Sequence, residues 1–419
     1  MKVGVVGLGY VGLSIAIVFA EQGNTVIGVE VDSEKVEKLR KGIPTMFEPG
    51  IKEHLERALP NLHVSSDYST LSEAKFIYVA VPTPTVDNRI DLSYVEQAAL
   101  SIKAACPNSV IVIKSTVVPG TARKISALTG MEVVSNPEFT REGHAIEDTL
   151  HPDRIVLGAV RQELMDELEV LFEFSGAQVI KTNNENAELI KYASNAYLAT
   201  KISYANELAK LCERVGCDVD VVTRGMGLDK RIGPQFLKPG LGWGGSCFPK
   251  DTQALVAFAE DSLSRLTIVE TAIEVNNKMV QHAINLIKEI AGGCLSGKRI
   301  GVLGVTFKED TDDVRSSKSI ELIERLSGEE HAQVNVYDPI ARYSKNCIMY
   351  ESLSECVANS DIIVVATEWD GFRSALRGVE KPVLDMRRIL DLKEHPGIYA
   401  IGLGRRESGN GQMRSKATL

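Results

Sequence analysis

Short apolar runs that stop at glycine, proline or a polar residue alternate with longer amphipathic stretches along most of the chain. Val3 to Val6, Thr25 to Val29, Phe76 to Val81 and Val110 to Ile113 are near-continuous apolar runs. That is the pattern of strands buried on both faces of a parallel sheet. Helical spacing takes over at Asn184, where Ala187, Ile190, Leu198, Ile202, Leu208 and Leu211 predict one long helix to Val215. Lys191 and Asn195 stand i,i+4 on that helix and share a side. Leu263 to Ile290 predicts another helix, and Gly292-Gly293 breaks the pattern. Strand-like runs then resume at Lys298 to Val305, Gln333 to Pro339, Ile362 to Ala366 and Pro382 to Asp385.

The first apolar run leads into Gly7-Leu8-Gly9-Tyr10-Val11-Gly12, a G-x-G-x-x-G turn. An apolar helix follows through Ile15, Ala16, Val18 and Phe19, then a second strand that ends at Glu30. Glycines in such a turn let the backbone approach a pyrophosphate, which rests on the helix N-terminus. A carboxylate at Glu30 meets ribose hydroxyls and repels a 2′-phosphate, so NAD is expected rather than NADP. Ligands in open α/β sheets bind beyond the carboxyl ends of strands, which makes Thr83, Ser115 and Thr116 candidate site residues. Their plainer role is hydroxyl capping of a turn. Glu138 and Glu142 flank Arg141 after the Val133-Val134 run, and on a helical turn the two acids would share a face.

These elements predict an α/β protein with two Rossmann-like doubly wound domains joined by a long central helix and a helical dimerisation region. The expected divisions are 1–183 for the dinucleotide-binding domain, 184–292 for the helical domain and 293–404 for the second Rossmann-like domain, with a loose tail over 405–419. The second domain lacks the full glycine motif. Its charged loop, Thr306 to Ser317, offers Lys308 and Arg315 to the phosphates of a second nucleotide-like ligand, or to solvent.

Composition narrows the class. With 419 residues, 44% hydrophobic and 25% charged, the chain suits a soluble globular protein with an ample core. A net charge of −9 gives no overall pull toward nucleic acid or anionic membrane, and neither is expected as a partner. No apolar run approaches a membrane span. No signal peptide is expected, because Lys2 to Gly7 already reads as a strand entering a motif. The 7 cysteines are odd in number, widely spread and without zinc spacing, so no metal is expected and a reduced, cytoplasmic setting is.

One of those cysteines stands apart. Gly240-Leu241-Gly242-Trp243-Gly244-Gly245-Ser246-Cys247-Phe248-Pro249-Lys250-Asp251 puts Cys247 on a glycine-rich loop before a predicted helix over Thr252 to Glu260. Pro249 suits the first helical position. A helix N-terminus and the neighbouring Lys250 both favour thiolate, the reactive form. The glycines suggest close approach of the backbone to something. On local grounds Cys247 is either an activated thiol or a small residue in a tight turn.

Several motifs in order resemble the nucleotide-sugar dehydrogenases that oxidise UDP-glucose or GDP-mannose to the uronic acid. They are Gly7 to Gly12, Val81-Pro82-Thr83-Pro84, Lys114-Ser115-Thr116, Asn136 to Gly143, Lys191 with Asn195, Gly244 to Asp251, and Lys308 with Asp313-Val314-Arg315-Ser316. The resemblance spans Lys2 to about Gly404. Among its branches the Gly244 to Asp251 segment is most similar to the UDP-glucose and GDP-mannose types, with UDP-glucose first.

That resemblance implies a four-electron oxidation in which Cys247 attacks an aldehyde to give a thiohemiacetal, then a thioester that water hydrolyses. Lys191, Asn195 and Asp251 are implied around the reacting oxygen. Asp251 and Thr116 are implied to hold a water that serves as base, and Glu138 to assist hydrolysis. For NAD the implied contacts are Gly7, Gly9, Tyr10, Val11, Gly12, Glu30, Lys35, Thr83, Thr116, Glu142, Lys250 and Arg315. The family's usual residue at Glu30 is Asp. For the UDP-sugar they are Glu138, Phe139, Thr140, Arg141, Glu142, Lys191, Asn195, Phe236, Leu237, Gly240, Gly244, Phe248 and Lys308. Thr140 stands where the family usually has Leu. Arg231 is implied to reach a neighbouring subunit's substrate, which makes a homodimer or a higher homo-oligomer the active unit. Three other readings stay open on the sequence: a GDP-mannose or UDP-N-acetylhexosamine substrate, a two-electron hydroxy-acid dehydrogenase with a structural Cys247, and a non-catalytic nucleotide-sugar sensor.

Overall fold

A computed structural model describes residues 1–391 and 398–404, so the tail expected from Arg405 to Leu419 lies outside the described residues. The chain divides into two compact units. The first comprises Met1–Ser194 with Gln253–Ser262; the second comprises Asn195–Thr252 and the described residues from Leu263 onward.

The first unit holds an eight-stranded sheet in the order Gln178–Thr182, Arg154–Gly158, Val133–Ser135, Val110–Ile113, Phe76–Val79, Lys2–Val6, Thr25–Val29, Leu62–Ser65. All neighbours pair in parallel except Val133–Ser135 with Arg154–Gly158. Lys2–Val6 lies between Thr25–Val29 and Phe76–Val79. The chain therefore leaves the sheet in opposite directions from Lys2–Val6 and Phe76–Val79, and the crevice at such a switch point is where doubly wound sheets bind ligands. Gly7 and Val81-Pro82-Thr83 follow the carboxyl ends of these two strands. The four residues of Phe76–Val79 and of Val110–Ile113 are buried throughout, as expected for strands covered on both faces.

The second unit has a six-stranded, all-parallel sheet in the order Ile348–Met349, Gln333–Tyr337, Arg299–Leu303, Ile362–Val365, Val383–Asp385, Ile398–Ala400. It repeats the switch-point arrangement of the first. Its core also takes in the predicted central helices: Ala209 and Cys212 from helix Asn184–Val215, and Met279, Val280, Ala283 and Ile284 from helix Thr267–Ala291, pack with Val302, Leu322 and Val364.

Candidate active site

Helix Tyr10–Glu21 begins at Gly9, whose position carries no side-chain cap. Its glycines differ in what demands them. Gly7 has φ +88, and a Cβ on Gly12 would stand 1.8 Å from the Gly7 carbonyl oxygen, so both are required by the turn itself. A Cβ on Gly9 would meet nothing within 4 Å, which leaves open space over uncapped backbone N–H groups at a helix start. Glu30 is buried, and its carboxylate accepts from Leu8 N at 3.1 Å and Asp32 N at 3.2 Å. The acid thus braces the loop while keeping acceptor capacity, since a carboxylate has about four lone-pair sites. This arrangement fits a dinucleotide. Among the other expected contacts, Thr83 is buried, Tyr10, Val11 and Lys35 are half-buried, and Lys35 N donates to the helix-capping Asp32.

The second unit offers an instructive contrast. Asp338 ends strand Gln333–Tyr337 as Glu30 follows Thr25–Val29. Its carboxylate accepts from Val305 N at 2.8 Å, Thr306 N at 3.4 Å, Ile340 N at 3.0 Å and Ala341 N at 2.9 Å. Asp338 has no solvent exposure, and its acceptor sites are all taken. The shorter acid closes the loop where the longer one keeps capacity for a ribose.

Strand Val133–Ser135 leads to a non-helical segment through Thr140, so Glu138 and Glu142 do not share a helical turn as the sequence suggested. Pro137 within the segment disfavours helix for the residue before it. Glu138 is buried, and Lys191 Nζ meets its carboxylate at 2.7 Å. Thr140 adds two donors to the other oxygen of that carboxylate, N at 2.6 Å and Oγ1 at 2.8 Å. Burial pushes the Glu138 carboxyl up, and the Lys191 charge with the Thr140 bonds more than offsets this, holding it below its usual range. Phe139 stacks under the Arg154 guanidinium at 3.7 Å, while Arg141 pairs with Asp148 at 2.6 Å. The loop past Glu142 is fixed by buried Glu48, which accepts from Gly143 N at 2.9 Å and Ala145 N at 2.5 Å. Thr116, Ser115 and Lys191 line one small cavity together with Ser135, Pro137 and Glu188.

Helix Phe248–Asp261 starts directly after Cys247. Asp251 N donates to the Cys247 carbonyl at 2.8 Å, which places Cys247 at the cap position, one residue closer to the helix than expected. Its thiol is half-buried, 3.5 Å from Ser246 Oγ. Asp251 is 1% exposed and accepts from Asn195 Nδ2 at 2.6 Å and Lys250 Nζ at 2.6 Å. The Lys250 ammonium thus pairs with Asp251 in the first turn of the helix that Cys247 caps. Phe236, with φ +62, and Trp243 bring their rings to 6.2 Å and 6.4 Å from that of Phe248. Leu237 is buried, and Gly240 N donates to Asn206 Oδ1 at 2.8 Å.

The glycine loop approaches its own chain. A Cβ on Gly242 would stand 2.5 Å from Asn276 Oδ1, one on Gly244 would stand 2.3 Å from the Ser316 carbonyl, and one on Gly245 would stand 2.8 Å from the Phe307 ring. Asn276 clamps Trp243 from both sides, accepting from its N at 2.7 Å and donating to its O at 3.0 Å. Lacking side chains, these glycines let the loop pack closely on its own chain beneath Cys247. Lys308 is half-buried, Arg315 pairs with Asp313 at 2.7 Å, and exposed Arg231 pairs with Asp229 at 2.6 Å.

Residues 1–175 match the NAD binding domain of the UDP-glucose/GDP-mannose dehydrogenase family, residues 185–278 its central domain and residues 301–392 its UDP binding domain. The chain belongs to the UDP-glucose/GDP-mannose dehydrogenase family. It is an NAD-dependent nucleotide-sugar dehydrogenase. The UDP-glucose 6-dehydrogenase YwqF of Bacillus subtilis is 40% identical over 388 residues, covering 88% of each chain. UDP-glucose 6-dehydrogenase AglM of Haloferax volcanii is 39% identical over 427 residues, 94% of this chain and 98% of its own. Among solved structures, a UDP-glucose dehydrogenase from Pyrobaculum islandicum matches with a TM-score of 0.89 at 37% identity, over 96% of this chain and 97% of that one. A UDP-D-ManNAc dehydrogenase from Pyrococcus horikoshii gives 0.87 at 28% identity, over 96% and 99%. Among the described residues no helix is long and apolar enough to cross a membrane.

Two buried charges beside these family motifs were not read as site residues. Lys114 ends strand Val110–Ile113, and its Nζ donates to Asn136 Oδ1 at 3.2 Å. Burial lowers its pKa to about 8; the Glu138 charge raises it and the Lys191 charge lowers it further. Glu188 stands one turn before Lys191 on the same helix. The available signal was the spacing: Asn184, Glu188, Lys191 and Asn195 form one polar stripe on a helix whose apolar positions lie elsewhere.

Proposed function

We propose that this chain oxidises the C6 alcohol of UDP-glucose to the carboxylate of UDP-glucuronate, through a thioester on Cys247. NAD would supply the hydride acceptor, a fresh molecule for each of the two oxidations. Cys247 carries the reading: a half-buried thiol at the cap of helix Phe248–Asp261, on a loop clamped by Asn276, four residues before the buried Asp251.

In this reading the C6 alcohol gives up a proton and a hydride to become an aldehyde. The Cys247 thiolate then forms a C–S bond to the aldehyde carbon, and the oxygen takes a proton. Loss of a second hydride and that proton leaves the thioester. Water attacks the carbonyl, the C–S bond breaks, the thiolate leaves and the sugar carboxylate is released. Holding the aldehyde covalently lets one site oxidise twice without losing the intermediate.

The roles of the other residues follow from what each can do. Asn195 spends one N–H on Asp251, and the same nitrogen carries a second for an oxyanion. The Lys191 ammonium adds positive charge there. Asp251, with Thr116, holds the water that takes the alcohol proton. Glu138, kept ionised by Lys191 and Thr140, assists the hydrolytic water. Gly7, Gly9, Tyr10, Val11, Gly12, Glu30, Lys35, Thr83, Glu142, Lys250 and Arg315 serve the cofactor. Phe139 to Arg141, Phe236, Leu237, Gly240, Gly244, Phe248 and Lys308 serve the UDP-sugar. The domain divisions are 1–183, 184–292 and 293–404, and each contributes residues to both ligands. Exposed Tyr197, Tyr204 and Leu211, seven apart on helix Asn184–Val215, support dimerisation through its outer face, with Arg231 reaching the neighbour's substrate.

A UDP-N-acetylmannosamine substrate is the second reading, motivated by the structural likeness to the Pyrococcus horikoshii protein. The higher identity to enzymes named for UDP-glucose supports the first. NADH formation measured with UDP-glucose, GDP-mannose and UDP-N-acetylmannosamine separates them. We expect two NADH per UDP-glucose, and a faster rate with either other sugar would reverse the order.

A further inference from the structure

The helix Thr121–Thr129 begins without a cap of its own. Its first position, Gly120, has φ +93 and no side chain to accept the N–H groups of the first turn. A helix start usually takes such an acceptor from the neighbouring sequence. Here the acceptor comes from another element. The Glu188 carboxylate, on helix Asn184–Val215, accepts from Gly120 N at 2.7 Å and Ala122 N at 2.8 Å, and from Ser135 Oγ at 3.3 Å. Glu188 is 3% exposed. One buried carboxylate therefore ties together the segment after strand Val110–Ile113, the end of strand Val133–Ser135 and the helix that carries Lys191.

That segment carries Thr116. Glu188, Thr116 and Lys191 line the same cavity, all within the first unit. We propose that Glu188 is a positioning residue for the dehydrogenase reaction: it holds the Ser115–Gly120 segment, and with it Thr116, in register with Lys191. The assignment deepens the proposed function and rests on that reading for the roles of Thr116 and Lys191.

The charge of Glu188 is finely poised. Burial pushes its carboxyl up to about 7, against the two backbone N–H groups and Ser135, which favour the ionised form. Glu185 on its own helix pushes it up as well, and Glu185 is itself paired with Arg123 of helix Thr121–Thr129 at 3.0 Å. The other charged group lining the cavity is Lys191. Ionised, Glu188 accepts from all three donors. Protonated, one oxygen becomes a hydroxyl that turns away from at least one backbone N–H, so the clamp loosens as pH falls through about 7.

Two measurements on the full-length protein test this. The first is hydrogen exchange of wild type between about pH 5.5 and 8.5, corrected for intrinsic rates, without sugar or cofactor. Protection of residues 115–122 should drop several-fold on the acid side while the strands keep theirs. The second is Glu188→Gln, which keeps the shape and loses one acceptor. Its kcat should fall about tenfold or more with the KM for sugar within about twofold, and the acid limb near neutrality should disappear from its pH profile. A folded Glu188→Gln protein with wild-type kcat and pH profile would overturn the proposal, as would pH-independent protection of residues 115–122. If wild type forms no NADH from any nucleotide sugar, the functional reading fails, while the exchange experiment still decides whether the clamp exists.

Discussion

Lys191 Nζ lies 2.7 Å from the Glu138 carboxylate, with both side chains no more than 6% exposed. Removing one partner of a buried pair strands the other charge, at a cost of about 3–5 kcal/mol. Glu138→Gln should therefore lose about 3 kcal/mol in urea unfolding and also slow the hydrolytic step. The double variant Glu138→Gln/Lys191→Met should recover most of the stability and none of the activity. Equal stability of the single and double variants would mean that the pair is not coupled.

Lys114 gives a prediction of opposite sign. Its folded pKa, about 8, lies below the ordinary 10.5, so the folded state binds fewer protons between those values. Stability linked to Lys114 should therefore rise with pH through that window, and the cost of the buried ammonium should be fully present below it. Lys114→Met removes that cost, worth on the order of 1–3 kcal/mol, so the variant should be at least as stable as wild type at pH 7. Turnover should nevertheless fall, because the bond to Asn136 beside Glu138 is lost. Denaturant titrations at about pH 7 and pH 10 check the sign.

Asn195→Asp would set a second carboxyl 2.6 Å from the Asp251 carboxylate at a site only 1% exposed. Two such groups cannot both ionise at ordinary cost, so the pair should titrate with one strongly raised pKa. We expect kcat to drop about 100-fold at pH 7, the size of losing one oxyanion donor. A turnover profile displaced to higher pH would report the shared proton.

The glycine turn separates folding from binding. Gly12→Ala drives a Cβ to 1.8 Å from the Gly7 carbonyl and should destabilise the first unit outright. Gly9→Ala meets nothing within 4 Å, so it should fold normally yet bind NAD about tenfold more weakly, by occupying the space where a pyrophosphate rests. Calorimetric titration with NAD, beside a melting curve, distinguishes the two.

These residues also show what the sequence made legible. The helix Asn184–Val215 was readable to the residue, because thirty-two positions of 3.6-residue periodicity overwhelm local noise. Strand Lys2–Val6, its glycine turn and Glu30 were readable because apolar run, turn and acid occur at fixed offsets. Edge strands Leu62–Ser65 and Gln178–Thr182 were not, since the first alternates buried with exposed positions over four residues and the second buries none of its five. The glycines before Cys247 were legible as close approach, but whether a backbone approaches a ligand or Asn276 depends on residues distant in sequence. Glu188 escaped notice for a similar reason: its partners, Gly120 and Ala122, are backbone groups with no sequence signature.

Cys247 tests the account most directly. Purified wild type with limiting UDP-glucose and excess NAD should form two NADH per sugar. Cys247→Ser should fold, bind both ligands and lose steady turnover by about four orders of magnitude or more, the scale set by removing a catalytic nucleophile. Two NADH per sugar at near wild-type rate from the folded serine variant would contradict the thioester route.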